Sequence, residues 1–359
     1  MMPNTDMGAP HQNERLFSLL EYASEWLVRI PYIPYAAWLF LRYRGITLPA
    51  IANPSFFMGD LVGASKTDMH ACMGARAREH FAPFITIHAS AAMPDIRAQL
   101  TRAKLAFPLV AKPDLGRNGR GVKMVADEAA LAAHLAKFPR DVRMIIQRYV
   151  PARREAGVFY VRRPSEHAGR ITSLTLKSFP YVVGDDRSTL RELILADERA
   201  SKIAHIYFRR NKRALDEVIP EGVEYPLVSV GNHVRGAIFT NGAAAITPEL
   251  TAVFDRISKD IDGFYFGRYD VRYDDFDAFK RGAGFTIIEF NGASSEPTHV
   301  WDRRTSVRDT YRTLLGHWRM AFEIGAENRA RGTRAPSIRA VLRAYAAEDH
   351  LIGRYPDEE

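Results

Sequence analysis

The chain has 359 residues, 47% of them hydrophobic, with one cysteine, a formal net charge of +8 and a pI near 9.5. That length suits two or three subdomains with ordinary globular cores, and the single Cys72 excludes an intrachain disulfide and fits a reducing, cytoplasmic setting. The basic surplus favours anionic partners, but the arginines are scattered and no long Lys/Arg tract or zinc pattern occurs, which argues against nucleic acid.

In chain order, residues 1–13 are polar. From Glu14 to Ile30, Leu16, Leu19, Leu20, Ala23, Trp26, Leu27 and Ile30 recur at helical spacing. The next uncharged run, between Arg29 and Arg42, is twelve residues long and interrupted by two prolines. It is too short to span a bilayer, which takes ~20 apolar residues, and it lacks a signal-peptide cleavage site. A helix buried against the protein is the favoured reading. The alternative is an interfacial anchor over residues 14–45, on the inner face of a membrane. There Trp26, Tyr32, Tyr35, Trp38 and Tyr43 would form an aromatic belt flanked by Arg29, Arg42 and Arg44.

Gly59 and Gly63 mark loops, and Ser65 caps a helix expected through Arg78. Gly63, Ser65 and Lys66 are weak substrate-contact candidates. A strand over Phe84–His88 and a helix over Ala91–Leu105 follow. A short apolar strand, Leu109–Ala111, ends in Lys112, and Pro113 breaks it. Gly116, Gly119 and Gly121 punctuate a basic loop before a strand over Val122–Val125. Backbone N–H groups of such a flap can close on phosphates, with Lys112 as a point charge. No G-K-[ST] opens a helix and no helix follows the glycines directly, so neither a P-loop nor a dinucleotide fingerprint is present.

A helix over Asp127–Phe138 leads to a strand over Arg143–Tyr149. Glu155 and Gly157 precede a strand over Val158–Arg163, and a strand over Ile171–Phe179 carries Lys177. A turn at Gly184–Asp185 opens a helix capped by Ser188 or Thr189, and Arg199–Asp216 reads as a second, basic helix. Asn232, His233 and Arg235 sit in a polar turn between strands. Pro248–Ile261 is a helix. Beyond His299 come a long amphipathic helix over Val307–Ala326, a linker over Arg329–Pro336, a short basic helix over Ser337–Ala347 and an acidic tail.

Between the last two parts lies Phe264–His299, which reads as two strands and a polar connector. Period-two alternation puts Arg268, Asp270 and Arg272 on one face of the first strand, and Glu289 and Asn291 on one face of the second. Hard oxygen ligands suit Mg²⁺, and neighbouring arginines suit phosphate. Ile287, Ile288 and Phe290 mark the second strand as buried, where a carboxylate needs a partner. Asp274, Asp275 and Asp277 read as solvated.

The ordered set of Lys112, the Gly-rich flap, the strand QRYV, Glu155, Lys177, RYD and EFN resembles the ATP-grasp superfamily over about residues 105–300. The segment KSFPYVVGDDRSTLRELI is similar to amide-forming ligases of the cyanophycin synthetase and bifunctional glutathione synthetase type. The RYD/EFN pair resembles D-alanine–D-alanine ligase. The resemblance implies an α+β ATP-grasp fold, with two α+β subdomains clasping ATP behind a helical or mixed N-terminal region. It divides the chain into 1–83 (N-terminal, substrate side), 84–152 (small subdomain with the flap), 153–330 (large subdomain with the metal site) and 331–359 (C-terminal helix and tail).

It further implies that Lys112 and Lys177 contact ATP phosphates and the purine edge, and that Asn118, Gly119, Arg120 and Gly121 cover the β- and γ-phosphates. Gln147, Arg148, Tyr149 and Val150 would form the adenine-pairing hinge, with Glu155 on the ribose. Asp270, Glu289 and Asn291 would hold Mg²⁺ (or Mn²⁺), Arg268 would stabilise the transferring phosphoryl group, and Arg235 would assist. The implied reaction joins a small-molecule carboxylate to an amine through an acyl phosphate. A kinase stopping at phosphorylation, or a membrane-peripheral nucleotide-binding protein, stands as the alternative. Gln147 replaces the Glu of many relatives, Asp186 replaces a commoner Gly, and no H-G-x-x-G-E motif occurs, which counts against D-alanine as substrate.

Overall fold

The computed structural model describes residues 15–356 except 22–27, 29, 118, 229, 230 and 232. The polar segment 1–13, residues 14, 22–27 and 29 of the helix expected over Glu14–Ile30, Asn118, Asn232 and the side chain of His233 lie outside the described residues, and the described residues 15–21 form bends and turns in place of the start of that helix. The helices are α1 (Tyr32–Tyr43), α2 (Lys66–Ala71), α3 (Ala75–Glu79), α4 (Met93–Arg102), α5 (Glu128–Leu135), α6 (Leu190–Ala196), α7 (Ala204–Arg210), α8 (Pro248–Lys259), α9 (Phe276–Lys280), α10 (Val307–Ala330) and α11 (Ile338–Gly353). The strands are β1 (Phe84–His88), β2 (Leu109–Pro113), β3 (Lys123–Val125), β4 (Arg143–Arg148), β5 (Arg154–Val161), β6 (Arg170–Ser178), β7 (Tyr181–Val183), β8 (Glu224–Pro226), β9 (Ile238–Asn241), β10 (Phe266–Tyr273) and β11 (Phe285–Asn291).

Two antiparallel sheets carry the architecture. The smaller has strand order β1-β4-β2-β3, and the larger β11-β10-β5-β6-β9. One side of the smaller sheet packs Ile87, Leu109, Ala111 and Ile146 against Ile96 and Leu100 of α4 and Leu131 and Leu135 of α5. Ile352 and Tyr355, at the C-terminal end, join the same core.

The larger sheet is covered on both faces, but unequally. Ala156, Val158 and Tyr160 of β5 join Tyr269 and Val271 of β10 under Leu250, Phe254 and Ile257 of α8. On the opposite face Phe159, Val161 and Phe266 pack on Ala321 and Ile324 of α10. The alternation continues along that opposite face into Glu155 and Gly157 of β5 and Arg268, Asp270 and Arg272 of β10. The face is therefore apolar at one end and charged at the other.

Helix starts follow local chemistry. Ser65, Asp127, Thr247, Ser306 and Ser337 each accept a hydrogen bond from a first-turn backbone N–H, and Thr189 with Glu192 makes a capping box. The helix expected from Ser65 to Arg78 is broken at Gly74, where a Cβ would lie 2.4 Å from the Asp260 carboxylate. The basic helix expected over Arg199–Asp216 is reduced to a 3-10 turn, Ala200–Ile203, and α7. The helix expected to stop at Ala347 runs on to Gly353 and absorbs acidic residues expected in a tail. Strand β5 begins at Arg154, so Glu155 and Gly157 lie within it rather than before it. Asp186 adopts φ +60°, the left-handed region that favours glycine and that Asp tolerates.

The favoured reading of the run after Arg29 as a buried helix is corrected. In α1 only Leu39 is fully buried, against Leu48, Ile51 and Phe322. Ile33, Trp38, Phe40 and Leu41 are exposed. No helix among the described residues is long and apolar enough to cross a membrane.

The N-terminal region is locked to the larger sheet by the fully buried Asn53. Its Oδ1 accepts from the backbone N–H of Tyr265 (2.9 Å) and Phe266 (3.0 Å), and its Nδ2 donates to the carbonyls of Phe266 (2.8 Å) and Gly59 (3.1 Å). Asn53→Ala orphans several buried backbone groups and is expected to cost about 3 kcal/mol, read from the urea midpoint at unchanged slope. A loss below about 1 kcal/mol would contradict this locking role.

Candidate functional site

The charged end of the larger sheet is built around one ammonium group. Lys177 on β6 lies opposite Glu155 on β5, and Glu155 lies opposite Arg272 on β10. Lys177 Nζ donates to Glu155 Oε1 and to Asp270 Oδ1, both at 2.8 Å. Arg268 grips Asp270 with both ends of its guanidinium, Nε to Oδ1 and Nη2 to Oδ2, each at 3.1 Å. Arg272 reaches Glu155 Oε2 at 3.5 Å and donates to the Val150 carbonyl at 2.9 Å. The side chains of Lys177, Glu155 and Asp270 are each less than a tenth exposed.

Burial alone would raise the Asp270 carboxyl, but the adjacent Arg268 and Lys177 outweigh it and hold it down to about 2. Burial likewise opposes the charge on Lys177, and Asp270 and Glu155 reverse that, so its ammonium is held above its ordinary value. Gly157 faces Asp270 across the strands. A Cβ there would sit 3.2 Å from Arg268 Cδ and 3.5 Å from Asp270 Oδ1, so glycine leaves room for the bidentate pair.

The edge strand β11 brings the remaining oxygens. Glu289 pairs with Asp270 and Asn291 with Arg268, and then the register slips so that Ile287 opposes Val271. Ile288 is the extra residue, a β-bulge. Strict alternation would put Ile287 and Glu289 on the same face. The bulge sends Ile287 into the core and leaves Glu289 one-third exposed at the site. It also turns out the Ile288 carbonyl, which accepts from Lys112 Nζ of the smaller sheet at 3.1 Å. Burial lowers the Lys112 ammonium pKa against the pull of Glu289.

Lys66, from the N-terminal region, completes this wall. Its Nζ lies 3.5 Å from Glu289 Oε1 and donates to the Gly116 carbonyl at 3.0 Å. Asp114 positions it by accepting Ser65 Oγ, Thr67 N and Thr67 Oγ1 at 2.7 Å and Arg143 Nη2 at 2.8 Å. Asp60 accepts the Gly292 N–H at 2.5 Å, and burial pushes its carboxyl up to about 7 despite that bond and nearby Lys66. Five cationic side chains thus meet Glu155, Asp270 and Glu289, a balance that suits an anion.

The other expected residues are placed as follows. In the Gly loop, Gly121 has φ +71°, and a Cβ there would strike the Phe138 ring at 2.7 Å. Gly119 is also left-handed. The Arg120 guanidinium donates to the Tyr355 carbonyl, away from the Lys177 cluster. Gln147 is buried with its amide on the Ala82 carbonyl. Arg148 is exposed, while Tyr149 stacks beneath the Arg272 guanidinium and Val150 accepts from it. Arg235 lies in the 3-10 turn His233–Arg235, just before β9 on the Lys177 side of the sheet. Asp274, Asp275 and Asp277 are exposed, with Asp275 capping α9. Burial pushes the Cys72 thiol up, as do Asp262 and Asp68, which leaves it unactivated.

Several site residues escaped sequence reasoning. Asp60 and Gly231 carried no recognised signal. A Cβ on Gly231 would lie 2.3 Å from Glu155 Oε1 and 2.9 Å from Lys177 Cδ, so Gly231 packs directly on the ion pair. Arg272 and Lys66 were noticed but given no firm place.

The oxygen donors could hold a metal only in part. Among the described residues no group of three or more His, Cys, Asp or Glu is placed to do so. Among the described residues Asp270 Oδ2 accepts one bond, from Arg268, and Glu289 has only the longer contact with Lys66, so both retain lone pairs. With the Asn291 amide, this is an incomplete hard-oxygen set. It fits Mg²⁺ whose remaining ligands are water and phosphate oxygens, not a closed protein cage.

Two stability measurements follow. Lys177→Met leaves Glu155 and Asp270 buried without their shared cation, and is expected to cost about 3–5 kcal/mol by urea denaturation. Asp270 is held at about 2 when folded against an ordinary 3.8. Its contribution is therefore present above the ordinary value and lost as pH falls through the folded one. Stability should drop between about pH 4 and pH 2, and the drop should be shallower in Asp270→Asn. Identical pH profiles would contradict the assignment.

No family model matches the chain, and no curated protein matches it by sequence. Among solved structures it is similar to a bifunctional glutathione synthetase from Pasteurella multocida, at 15% identity and TM-score 0.38, over 70% of this chain and 35% of that one. It is also similar to D-alanine–D-alanine ligase from Bacillus anthracis complexed with ATP, at 13% identity and TM-score 0.41, over 77% and 71%. The third is D-alanine–D-alanine ligase from Coxiella burnetii, at 10% identity and TM-score 0.41, over 82% and 64%. The chain thus spans about a third of the length of the glutathione synthetase. In fold the chain is α+β, with two antiparallel sheets meeting where Lys112 of one bonds the bulged Ile288 of the other.

Proposed function

We propose that the chain is an ATP- and Mg²⁺-dependent carboxylate–amine ligase. The observation that carries the reading is Lys177 bridging Glu155 and Asp270 beside the Arg268–Asp270 clasp, with Lys112, Glu289 and Asn291 closing the rim. Buried, pre-paired cations next to incompletely satisfied hard oxygens suit a polyphosphate with its metal. They offer no side-chain nucleophile, and none is needed for this chemistry.

In this reading residues 84–152 and 153–330 are the two subdomains that clasp ATP. Gln147, Arg148, Tyr149 and Val150 form the hinge against adenine, and Glu155 binds the ribose. Lys112, Lys177 and the backbone of Asn118, Gly119, Arg120 and Gly121 hold the phosphates. Asp270, Glu289 and Asn291 hold Mg²⁺, which when bound neutralises phosphate charge and orients the γ-phosphoryl group.

A substrate carboxylate attacks the γ-phosphorus, breaking the bond to ADP and giving an acyl phosphate. An amine then attacks the acyl carbon, expels phosphate and loses a proton to form the amide. Arg268, fixed by Asp270, faces the charge that develops in both steps, and Arg235 approaches from the β9 side. The residues contribute positioning and fixed charge more than proton transfer.

Screening amino acids, peptides and amines for ADP release, with mass analysis of products, tests this. An amine-dependent amide product is expected. Asp270→Asn and Glu289→Gln should each lower turnover by about a hundredfold or more. A stable phospho-product without amide would contradict the ligase reading, and unchanged ADP release in both variants would contradict the metal assignment.

A further inference from the structure

Helix α1 is built the wrong way round for a surface helix in water. Its inner face gives the protein Leu39, flanked by Tyr35 and Tyr43. Its outer face is apolar: Ile33 is 71% exposed and Leu41 72%, with Pro34, Ala37, Trp38 and Phe40 exposed between them. An ordinary surface helix carries polar residues there. No carboxylate occurs from Ile30 to Thr47, and the first charges, Arg42 and Arg44, are cationic and exposed. The Arg42 guanidinium lies over the Trp38 and Tyr43 rings, 5.5 and 5.6 Å from their centroids.

A second observation adjoins the first. Tyr35 stacks on Trp38, with centroids 5.4 Å apart, and also lines a cleft of about 520 Å³ between α1, α10 and β5. Arg163, Arg170, Arg312 and Arg319 line that cleft, against Glu166 and Glu323. Arg163 and Arg319 are paired within the fold, whereas Arg312 is exposed and makes no hydrogen bond or ion pair among the described residues.

We propose that α1 docks this chain on an anionic lipid surface. Ile33, Ala37, Phe40 and Leu41 enter the acyl boundary, Trp38 sits at headgroup level, and Arg312 and Arg319 face the anionic headgroup layer. Apolar area alone would suit a second copy or a protein partner equally. The aromatic belt, the exposed arginines, the absence of acid along the stretch and the adjoining cationic cleft favour lipid. At twelve residues the helix lies in the interface plane and does not cross it. This inference is independent of the nucleotide reading.

The test is co-sedimentation of the full chain with vesicles of phosphatidylcholine containing about one-third phosphatidylserine, and with phosphatidylcholine alone. Stronger binding to the anionic vesicles is expected. Ile33→Ser with Leu41→Ser should weaken it more than about tenfold. Arg312→Gln should weaken it roughly fivefold on the anionic vesicles and less on phosphatidylcholine alone. Both variants change exposed positions, so their thermal midpoints should match the parent and separate lost docking from lost folding. No sedimentation with either vesicle, or a double serine variant that binds as the parent does, would overturn the proposal. So would a concentration-dependent dimer abolished by the double serine change in the absence of vesicle binding.

Discussion

One buried ammonium organises the charged end of the larger sheet. Lys177 sits between the carboxylates of Glu155 and Asp270, which cannot both be buried as anions without it. Arg268 and Arg272 then satisfy the outer oxygens of the same two carboxylates. The arrangement spans three strands and depends on two glycines to admit it. Gly157 leaves room for Arg268 over β5, and Gly231 packs on Glu155 and Lys177 where a side chain would not fit. The cluster is rigid because its neighbours are packed: the same sheet face becomes Phe159, Val161 and Phe266 under α10 within a few residues.

The second dependence is the bulge at Ile288. It reconciles two demands on one short strand, a core side chain at Ile287 and a site carboxylate at Glu289. The carbonyl it displaces is the point where Lys112 of the smaller sheet touches the larger one. Relative placement of the two layers and presentation of Glu289 are therefore one structural event. Lys66, anchored through the Asp114 network, then sets a cation on the far side of Glu289.

Period-two alternation in FGRYDVRY and the ordered motifs from Lys112 to Asn291 made the α+β fold and the convergence of Arg268, Asp270, Glu289 and Lys177 readable from sequence. The pairing of Asp270 with Glu289 was not set by local pattern, because the bulge at Ile288 breaks the alternation of β11 beside it. What was not readable depends on distant chain segments. Lys66 and Asp60 reach Glu289 and Gly292 across more than two hundred residues; the loop pattern around Lys66 does not show that partner, and nothing local marks Asp60. Gly231 looks like any turn glycine until Glu155 is seen beneath it. Gly74 breaks a helix whose periodicity is intact, because Asp260 occupies the space a side chain would need. For α1, composition alone did not separate a buried helix from an exposed apolar one, since both are uncharged.

The central claim is that this floor and rim bind a metal–polyphosphate. Its most direct measurement is calorimetric titration with a non-hydrolysable ATP analogue, with and without Mg²⁺, on the parent chain and on Lys112→Ala and Glu289→Gln. The account predicts binding that strengthens with Mg²⁺ in the parent, weakens in Lys112→Ala under either condition, and loses its Mg²⁺ dependence in Glu289→Gln. Absence of binding in the parent, or equal affinity with and without Mg²⁺ in all three proteins, would contradict it.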